Sequence, residues 1–326
     1  MPRVSVMVSC SGQPETLSVA VQSIMNQSFR DFELIIADDG STDGTGVEML
    51  KQLGPDPARA EQVWVDSLHE ETGQRSIQMI KDEVLVHYLH QTLSRGLGAA
   101  RNRALAASSG EYIVFVSPGD EWHKRKLEVA VDVMDTHRDL HALVGPKTAP
   151  TKKAPPRKRP VPSLVEFEET VTPPGLTLSG AILRRSCLGW EAPFDENLPS
   201  CEEFDFWLRI GSRYQIGRLP DLYQAAIPMK ERTPWSLDRY RVYSLEKAFQ
   251  SGHLTPFQRH RVAEVLAERC GKLSSGYKQR DNTERSNFYD RKKKRFLLEV
   301  EKLDVSDPLF SGRRPARRRL SSVTSA

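Results

Sequence analysis

Short apolar runs alternate with amphipathic stretches along the first 120 or so residues. Val4 to Val8 and Phe32 to Ala37 are near-continuous apolar or β-branched runs, too short for helices, the pattern of strands buried on both faces. Between them Leu17, Val21 and Ile24 recur at helical spacing, and Ala20 and Met25 widen that face. Pro14 and Glu15 suit its first turn. Gly44 to Leu53 predicts a second helix, Val84 to Leu89 a third strand and Gly96 to Ala107 a helix that opens on glycines. Glu111 to Val116 predicts a fourth strand, and Lys126 to Met134 the helix after it. This βαβα order predicts an α/β fold around a doubly wound, mostly parallel sheet. Ligands of such sheets gather at the carboxyl ends of the strands. That singles out Ser9 to Gly12, Asp38 to Ser41 and Ser117 to Glu121.

The second half is less regular. Residues 147–163 are rich in Pro, Lys and Arg and have no periodicity, which predicts a mobile basic loop. Leu176 to Arg184 reads as a strand, and a helix opens at Glu202. Leu237 to Phe249 and Thr255 to Leu273 read as amphipathic helices forming a hairpin. Arg291 to Arg295 and Arg313 to Arg319 are blocks of positive charge, and the last fifteen or so residues are expected to be disordered.

Composition changes this picture in two ways. The net charge of +4 is unevenly spread: residues 271–326 hold 15 Lys and Arg against 7 Asp and Glu, so residues 1–270 sum to −4. A mildly acidic body therefore carries a basic C-terminus. The four cysteines are widely spaced without a CxxC pair, which argues against a disulfide framework or zinc site and for a reducing cytoplasm. No apolar run is long enough to cross a membrane, and the start leads straight into a strand, so no secretory signal is expected.

The segment VSVMVSCSGQPETLSVAVQSIMNQSFRDFELIIADDGSTDGT resembles the opening of family 2 glycosyltransferases. LSRGLGAARNRALAASSGEYIVFVSPGDEWHKRKLE and FDENLPSCEEFDFWLRIGSRY are similar to that family's next two blocks, in the same order. The resemblance covers roughly residues 3 to 275. It implies a GT-A fold over 1–225, a helical C-terminal extension over 226–303 and a basic tail over 304–326. It implies transfer of a sugar from a nucleotide-diphosphate sugar, a UDP-sugar first, to a glycan or lipid-linked acceptor hydroxyl. Inversion at the sugar carbon and a place in cell-envelope polysaccharide synthesis follow from the same resemblance.

Residue by residue, Ser9, Asp38, Asp39, Arg101 and Ser117 fall on the nucleotide-sugar site of the family. Asp39 matches the carboxylate that hydrogen-bonds the base, Asp38 supports its loop, and Arg101 lies near the diphosphate. Taken without the flanking blocks, Asp38 to Ser41 reads as an Asx-type turn. Glu202 and Glu203 stand where the family has Glu-Asp, with Glu203 as general base for the acceptor hydroxyl. The competing reading is a solvated acidic first turn favoured by the helix dipole. Trp207, Phe204 and Leu208 at helical spacing read as core.

The departures are as informative. The family's Asp-x-Asp-Asp after the fourth strand is Ser117-Pro118-Gly119-Asp120 here. The Mg²⁺ or Mn²⁺ of the family thus loses two carboxylates, to Ser117 and Gly119, and Asp120 is the remaining candidate ligand. Asp120 and Glu121 also read as acids capping the following helix. The family's base-stacking aromatic is missing at Ser11, which costs about 1–3 kcal/mol of donor binding. Its Gly-Gly-His-x-Asp-Gln segment is replaced at Ala225 to Lys230. Lys152, Lys153, Arg157, Lys158 and Arg159 are candidates to supply the missing charge. Two readings stay open: an active glycosyltransferase, and a catalytically impaired relative that acts as a binding or scaffold protein. The basic tail adds peripheral contact with the inner face of the membrane; no nucleic-acid partner is expected.

Overall fold

The computed structural model describes residues 1–54, 65–69, 74–145, 160–172, 176–189, 192–219, 224–225 and 237–306. Most of the 147–163 loop, the replaced segment after Ala225 and the Arg313 to Arg319 block lie outside the described residues. The chain forms two compact units that are not contiguous in sequence. The first holds Met1–Ser163, Thr177–Asn197 and Gln215–Pro228; the second holds Leu164–Leu176, Leu198–Tyr214 and Met229–Ala326.

The first unit contains β1 (Val4–Cys10), α1 (Pro14–Met25), β2 (Phe32–Asp39), α2 (Thr45–Leu53), β3 (Val65–His69), β4 (Gln74–Lys81), β5 (Val84–Gln91), α3 (Leu97–Ala106) and β6 (Tyr112–Val116). It continues through β7 (Glu121–Trp122), α4 (Lys126–Thr136) and β8 (Ala142–Val144) to β10 (Ile182–Arg184), β11 (Ile216–Arg218) and β12 (Gln224–Ala225). Its sheet runs β3-β4-β5-β2-β1-β6-β10-β8-β11. The centre, β5-β2-β1-β6, is parallel, and every residue of β1, β2 and β6 is buried. That accounts for their near-continuous apolar runs. Because β2 lies on one side of β1 and β6 on the other, the winding reverses at β1, which places a crevice at its carboxyl end.

Two parts of the sheet depart from the sequence reading. β3, β4 and β5 form an antiparallel meander at one edge, where the pattern predicted β5 alone. The β4–β5 hairpin turns at Asp82 and Glu83, both at positive φ (48° and 67°), the conformation of a two-residue primed turn. The strand expected over Leu176 to Arg184 is regular only at β10, preceded by an isolated bridge from Ser179 to Phe115. β10 is antiparallel to both its neighbours, so the sheet is mixed.

The second unit is helical: α5 (Phe167–Val171), α6 (Glu202–Gly211), α7 (Asp238–Gln250), α8 (Pro256–Lys278) and α9 (Thr283–Ser306). β9 (Ser163–Leu164) lies where the chain passes between units. Phe204 and Leu208 of α6 join Leu245 and Phe249 of α7, Leu266 and Leu273 of α8 and Phe296 of α9 in one apolar cluster. Thr255 begins α8 with a reciprocal capping box to Gln258, so two otherwise unpaired backbone donors are satisfied. The Arg291 to Arg295 block is part of α9. Trp207 is buried, as its spacing predicts. The four cysteines are free.

Candidate active site

β1 and β2 end side by side, with Ser9 opposite Ala37 and Cys10 opposite Asp38. Adjacent strand residues face opposite sides of a sheet, so Asp38 and Asp39 point apart. Asp38 accepts from the Ser41 backbone N–H at 2.9 Å and from the Ser41 hydroxyl, while its other oxygen accepts from the Tyr88 hydroxyl on β5. Burial, then that hydrogen bond, raises the Tyr88 pKa well above its ordinary value. Asp39 is 1% exposed. Its Oδ1 accepts from the Gln91 side-chain amide and from the Arg95 N–H at 2.8 Å; its Oδ2 accepts from the Ser94 hydroxyl at 2.7 Å and the Gly96 N–H at 2.9 Å. A carboxylate offers about four lone-pair sites. In this conformation protein donors take all four on Asp39, which fastens the β5–α3 turn to the end of β2.

The loops after β1 and β2 are tied to each other. Gly12 N–H donates to the Ser41 hydroxyl at 2.6 Å, and Gln13 N–H to Asp43 Oδ2 at 2.9 Å. Asp43 Oδ1 also accepts from the Thr45 hydroxyl and N–H. Those bonds, the Thr45 hydroxyl first, hold the Asp43 pKa below the usual carboxylate value. Asp38 to Ser41 therefore does make an Asx-type turn. Ser9 is buried and its hydroxyl has no partner among the described residues. Burial and the nearby aspartates raise the Cys10 thiol pKa strongly, which makes it inert.

At the end of β6 the chain folds back. Gly119 has φ 88° and its N–H donates to the Thr16 carbonyl at 2.9 Å. Asp120 is 3% exposed. Its Oδ2 accepts from the Ser179 hydroxyl and, at 3.4 Å, from the Ser117 N–H, which also donates to Ser179 Oγ at 2.9 Å. Asp120 thus ties the strand end to the segment before β10, whereas α4 takes Arg125 as its N-cap. Glu121 lies on β7, paired with β12. Nearby, the buried Lys126 ammonium donates to the Gly180 carbonyl at 3.1 Å and sits 4.8 Å from the Trp122 ring centroid. Among the described residues no group of three or more His, Cys, Asp or Glu comes together. A hard divalent cation needs several oxygen ligands, preferably charged. Ser117, Gly119 and an inward-turned Asp120 do not fit one.

α3 is built around a clasp that the sequence does not signal. The Asn102 amide donates to the Phe194 carbonyl at 2.8 Å and its oxygen accepts from the Phe194 N–H at 2.9 Å. The same amide reaches Glu196 Oε1 at 3.0 Å, and Arg95 pairs with Glu196 Oε2 at 3.0 Å. Arg101 is buried, with its guanidinium carbon 5.4 Å from the Phe194 ring centroid. Arg103 donates to the His90 carbonyl at 2.9 Å, and burial lowers its pKa against the opposing pull of Asp38 and Asp39. Tyr88, Gln91, Ser94, Asn102, Arg103 and Ser179 are all site residues that the sequence reading missed.

In the second unit, Glu202 and Glu203 occupy the first turn of α6, half-buried, after Cys201 at φ 66°. Two carboxylates there are favoured by the helix dipole. Asp205, one turn in, is fully buried and pairs with Arg209 at 2.9 Å and Lys247 at 2.7 Å, which binds α6 to α7.

Comparison with known proteins accords with this architecture. A glycosyltransferase of Methanocaldococcus jannaschii described as uncharacterized, MJ1057, is 24% identical over 255 residues, 74% of this chain and 77% of that one. The Escherichia coli protein WfgD, a UDP-Glc:α-D-GlcNAc-diphosphoundecaprenol β-1,3-glucosyltransferase, is 22% identical over 207 residues, 64% of this chain and 69% of its own. Among solved structures, S. aureus TarS 1-349 in complex with UDP superposes with a TM-score of 0.53 at 16% identity, over 90% of this chain and 91% of that one. The likeness is one of fold, GT-A with helices following the sheet domain. The model described as "Glycosyl transferase family 2" matches residues 5–188, more than half of the chain. The protein belongs to glycosyl transferase family 2.

Proposed function

We propose that the protein transfers a sugar from a UDP-sugar to the hydroxyl of a glycan or lipid-linked acceptor, with inversion, at the cytoplasmic side of the membrane. The observation that supports this reading is the carboxylate pair Glu202–Glu203 in the first turn of α6, in a chain of glycosyl transferase family 2. Glu203 takes the acceptor proton as the hydroxyl attacks the sugar carbon, and Glu202 steadies it. A single displacement of this kind inverts the carbon. Asp38 and Asp39 shape the nucleotide end by fixing the two turns beside it, and Ser9 offers its unpartnered hydroxyl there. WfgD, which by its description uses a UDP-sugar and a diphosphoundecaprenol acceptor, and UDP-bound TarS support the choice of donor and acceptor classes. The test is UDP release from a panel of UDP-sugars with polyprenyl-diphosphate glycans as acceptors. Turnover that Glu203→Gln abolishes supports the reading, and turnover unchanged in that variant refutes it.

A second reading is a binding or scaffold protein without transfer. The inward ties of Asp120 and the saturated carboxylate of Asp39 favour it, since neither acid is directed to a ligand. Calorimetric titration with UDP, with and without Mn²⁺, separates the two. Absence of binding in both conditions favours the scaffold.

A further inference from the structure

Among the described residues, α9 is held to the rest of the second unit by one side. Phe296 is buried edge-on against Phe249 at 5.6 Å, Lys292 pairs with Glu246 at 2.5 Å, and the Lys293 side chain lies over Gly271 of α8, which has no side chain to obstruct it. At about 100° per residue the opposite side presents Arg291, Lys294 and Arg295 to solvent, together with Phe288 and Leu298 at 44% and 56% exposure. No acidic residue interrupts Arg291 to Leu298 in sequence, and Lys294 pairs with Asp290 one turn earlier at 2.8 Å.

We propose that this outward face of α9 docks on an anionic lipid bilayer, with the helix lying along the surface. Cations would meet the lipid phosphates, while Phe288 and Leu298 enter the boundary below the headgroups. The apolar residues decide between partners. Nucleic acid would use the cations and leave Phe288 and Leu298 against water, whereas a bilayer uses both kinds of side chain. At 24 residues, about 36 Å, the helix is long enough to present the whole strip at once. No described helix is long and apolar enough to cross a membrane, so the contact is one of lying on the surface. The sequence reading gave this role to the basic clusters Arg291 to Arg295 and Arg313 to Arg319 alike; the proposal places it on the first, as part of a folded helix.

Vesicle flotation of the full chain tests the proposal without any donor sugar, so its outcome is separate from that of the transfer reading. Binding is expected to phosphatidylcholine vesicles containing phosphatidylglycerol, to weaken with added salt, and to be absent on phosphatidylcholine alone. The triple variant R291E/K294E/R295E should lower the partition roughly tenfold or more. F288S/L298S should lower it with the charges intact. The milder R291Q/R295Q serves if the triple variant unfolds by circular dichroism. Replacing the five arginines of Arg313 to Arg319 by Gln should leave most of the binding. The proposal is overturned if the tail variant loses binding while the helix variants keep it. It is also overturned if vesicle charge makes no difference, or if duplex DNA or an acidic peptide displaces the vesicles at lower concentration.

Discussion

Asp39→Asn separates a carboxylate that holds a turn from one that reads a ligand. The substitution exchanges one acceptor oxygen for an N–H₂ donor. If the amide nitrogen replaces Oδ2, it meets the Ser94 hydroxyl, which can rotate and accept, and the Gly96 N–H, which cannot. If it replaces Oδ1, it meets the Gln91 amide, which can flip, and the Arg95 N–H, which cannot. Either way one backbone donor loses its acceptor, at a cost of about 1–3 kcal/mol, and the surviving bonds lose their charge assistance. The Arg95 and Gly96 bonds are only partly buried, so water replaces some of the loss. The expected destabilisation is about 2 kcal/mol, or roughly 4–8 °C in the unfolding midpoint for a unit of this size. The assay is thermal unfolding followed by near-ultraviolet dichroism, paired with a UDP titration of the same protein. A midpoint within about 1 °C of the parent, alongside lost UDP binding, would refute the reasoning and show that the carboxylate serves the base directly.

Glu203→Gln keeps the shape of the α6 opening and removes the proton acceptor, so kcat should fall by about 10²–10⁴ with little change in KM, measured as UDP release. Gly12→Ala places a Cβ 2.8 Å from Asp43 Oδ2 at φ +80° and should cost about 1–2 kcal/mol or more in urea unfolding. Gly44→Ala, at φ +86° with open space around it, should cost less. Burial lowers the His87 pKa below 6.5, against an opposing pull from Glu33. The unfolded chain then binds more protons than the folded one between the lowered value and 6.5, so stability should fall as pH drops through that window and stay level above it; His87→Gln should flatten the profile. Arg95→Gln should weaken UDP-sugar binding while moving the melting midpoint by no more than about 1–2 °C, since its pairing with Glu196 is largely exposed. A larger loss of stability with unchanged binding would count against that role.

The parallel core was legible because burial on both faces leaves a plain signature in β1, β2 and β6. The β3–β4–β5 edge was not. Its hairpin turns on Asp82-Glu83; Asp82 tolerates positive φ but Glu83 is not a residue that marks it, so the sequence carried only half a turn signal. β10 was overextended because apolar residues from Leu176 onward are buried without joining the ladder. At the site, positions were legible and directions were not. Asp38, Asp39 and Asp120 each stand at a strand end as the pattern implies, yet the direction of each carboxylate depends on partners 50 or more residues away in sequence, Tyr88, Gln91 and Ser179. The Asn102 clasp was invisible for the same reason, since Phe194 offers it only backbone.

The turn after β6 is set by its own backbone. Gly119 sits at φ 88°, where a side chain is strained, and its N–H donates to the carbonyl of Thr16. An aspartate at that position would meet that strain, so placing carboxylates at Ser117 and Gly119 would not by itself create a cation site. Departure of a diphosphate still requires positive charge near its oxygens. Arg95, Arg101 and Arg103 cluster at α3 with no acid among residues 92–106, and they differ in what frees them. Arg101 is buried with its guanidinium against Phe194, and Arg103 is half-buried, donating to backbone carbonyls. Arg95 leaves only a partly exposed ion pair, an interaction worth about 0–1 kcal/mol, and its own backbone N–H is anchored by Asp39. Asp39 thus fixes the turn that carries the most exposed of these three arginines.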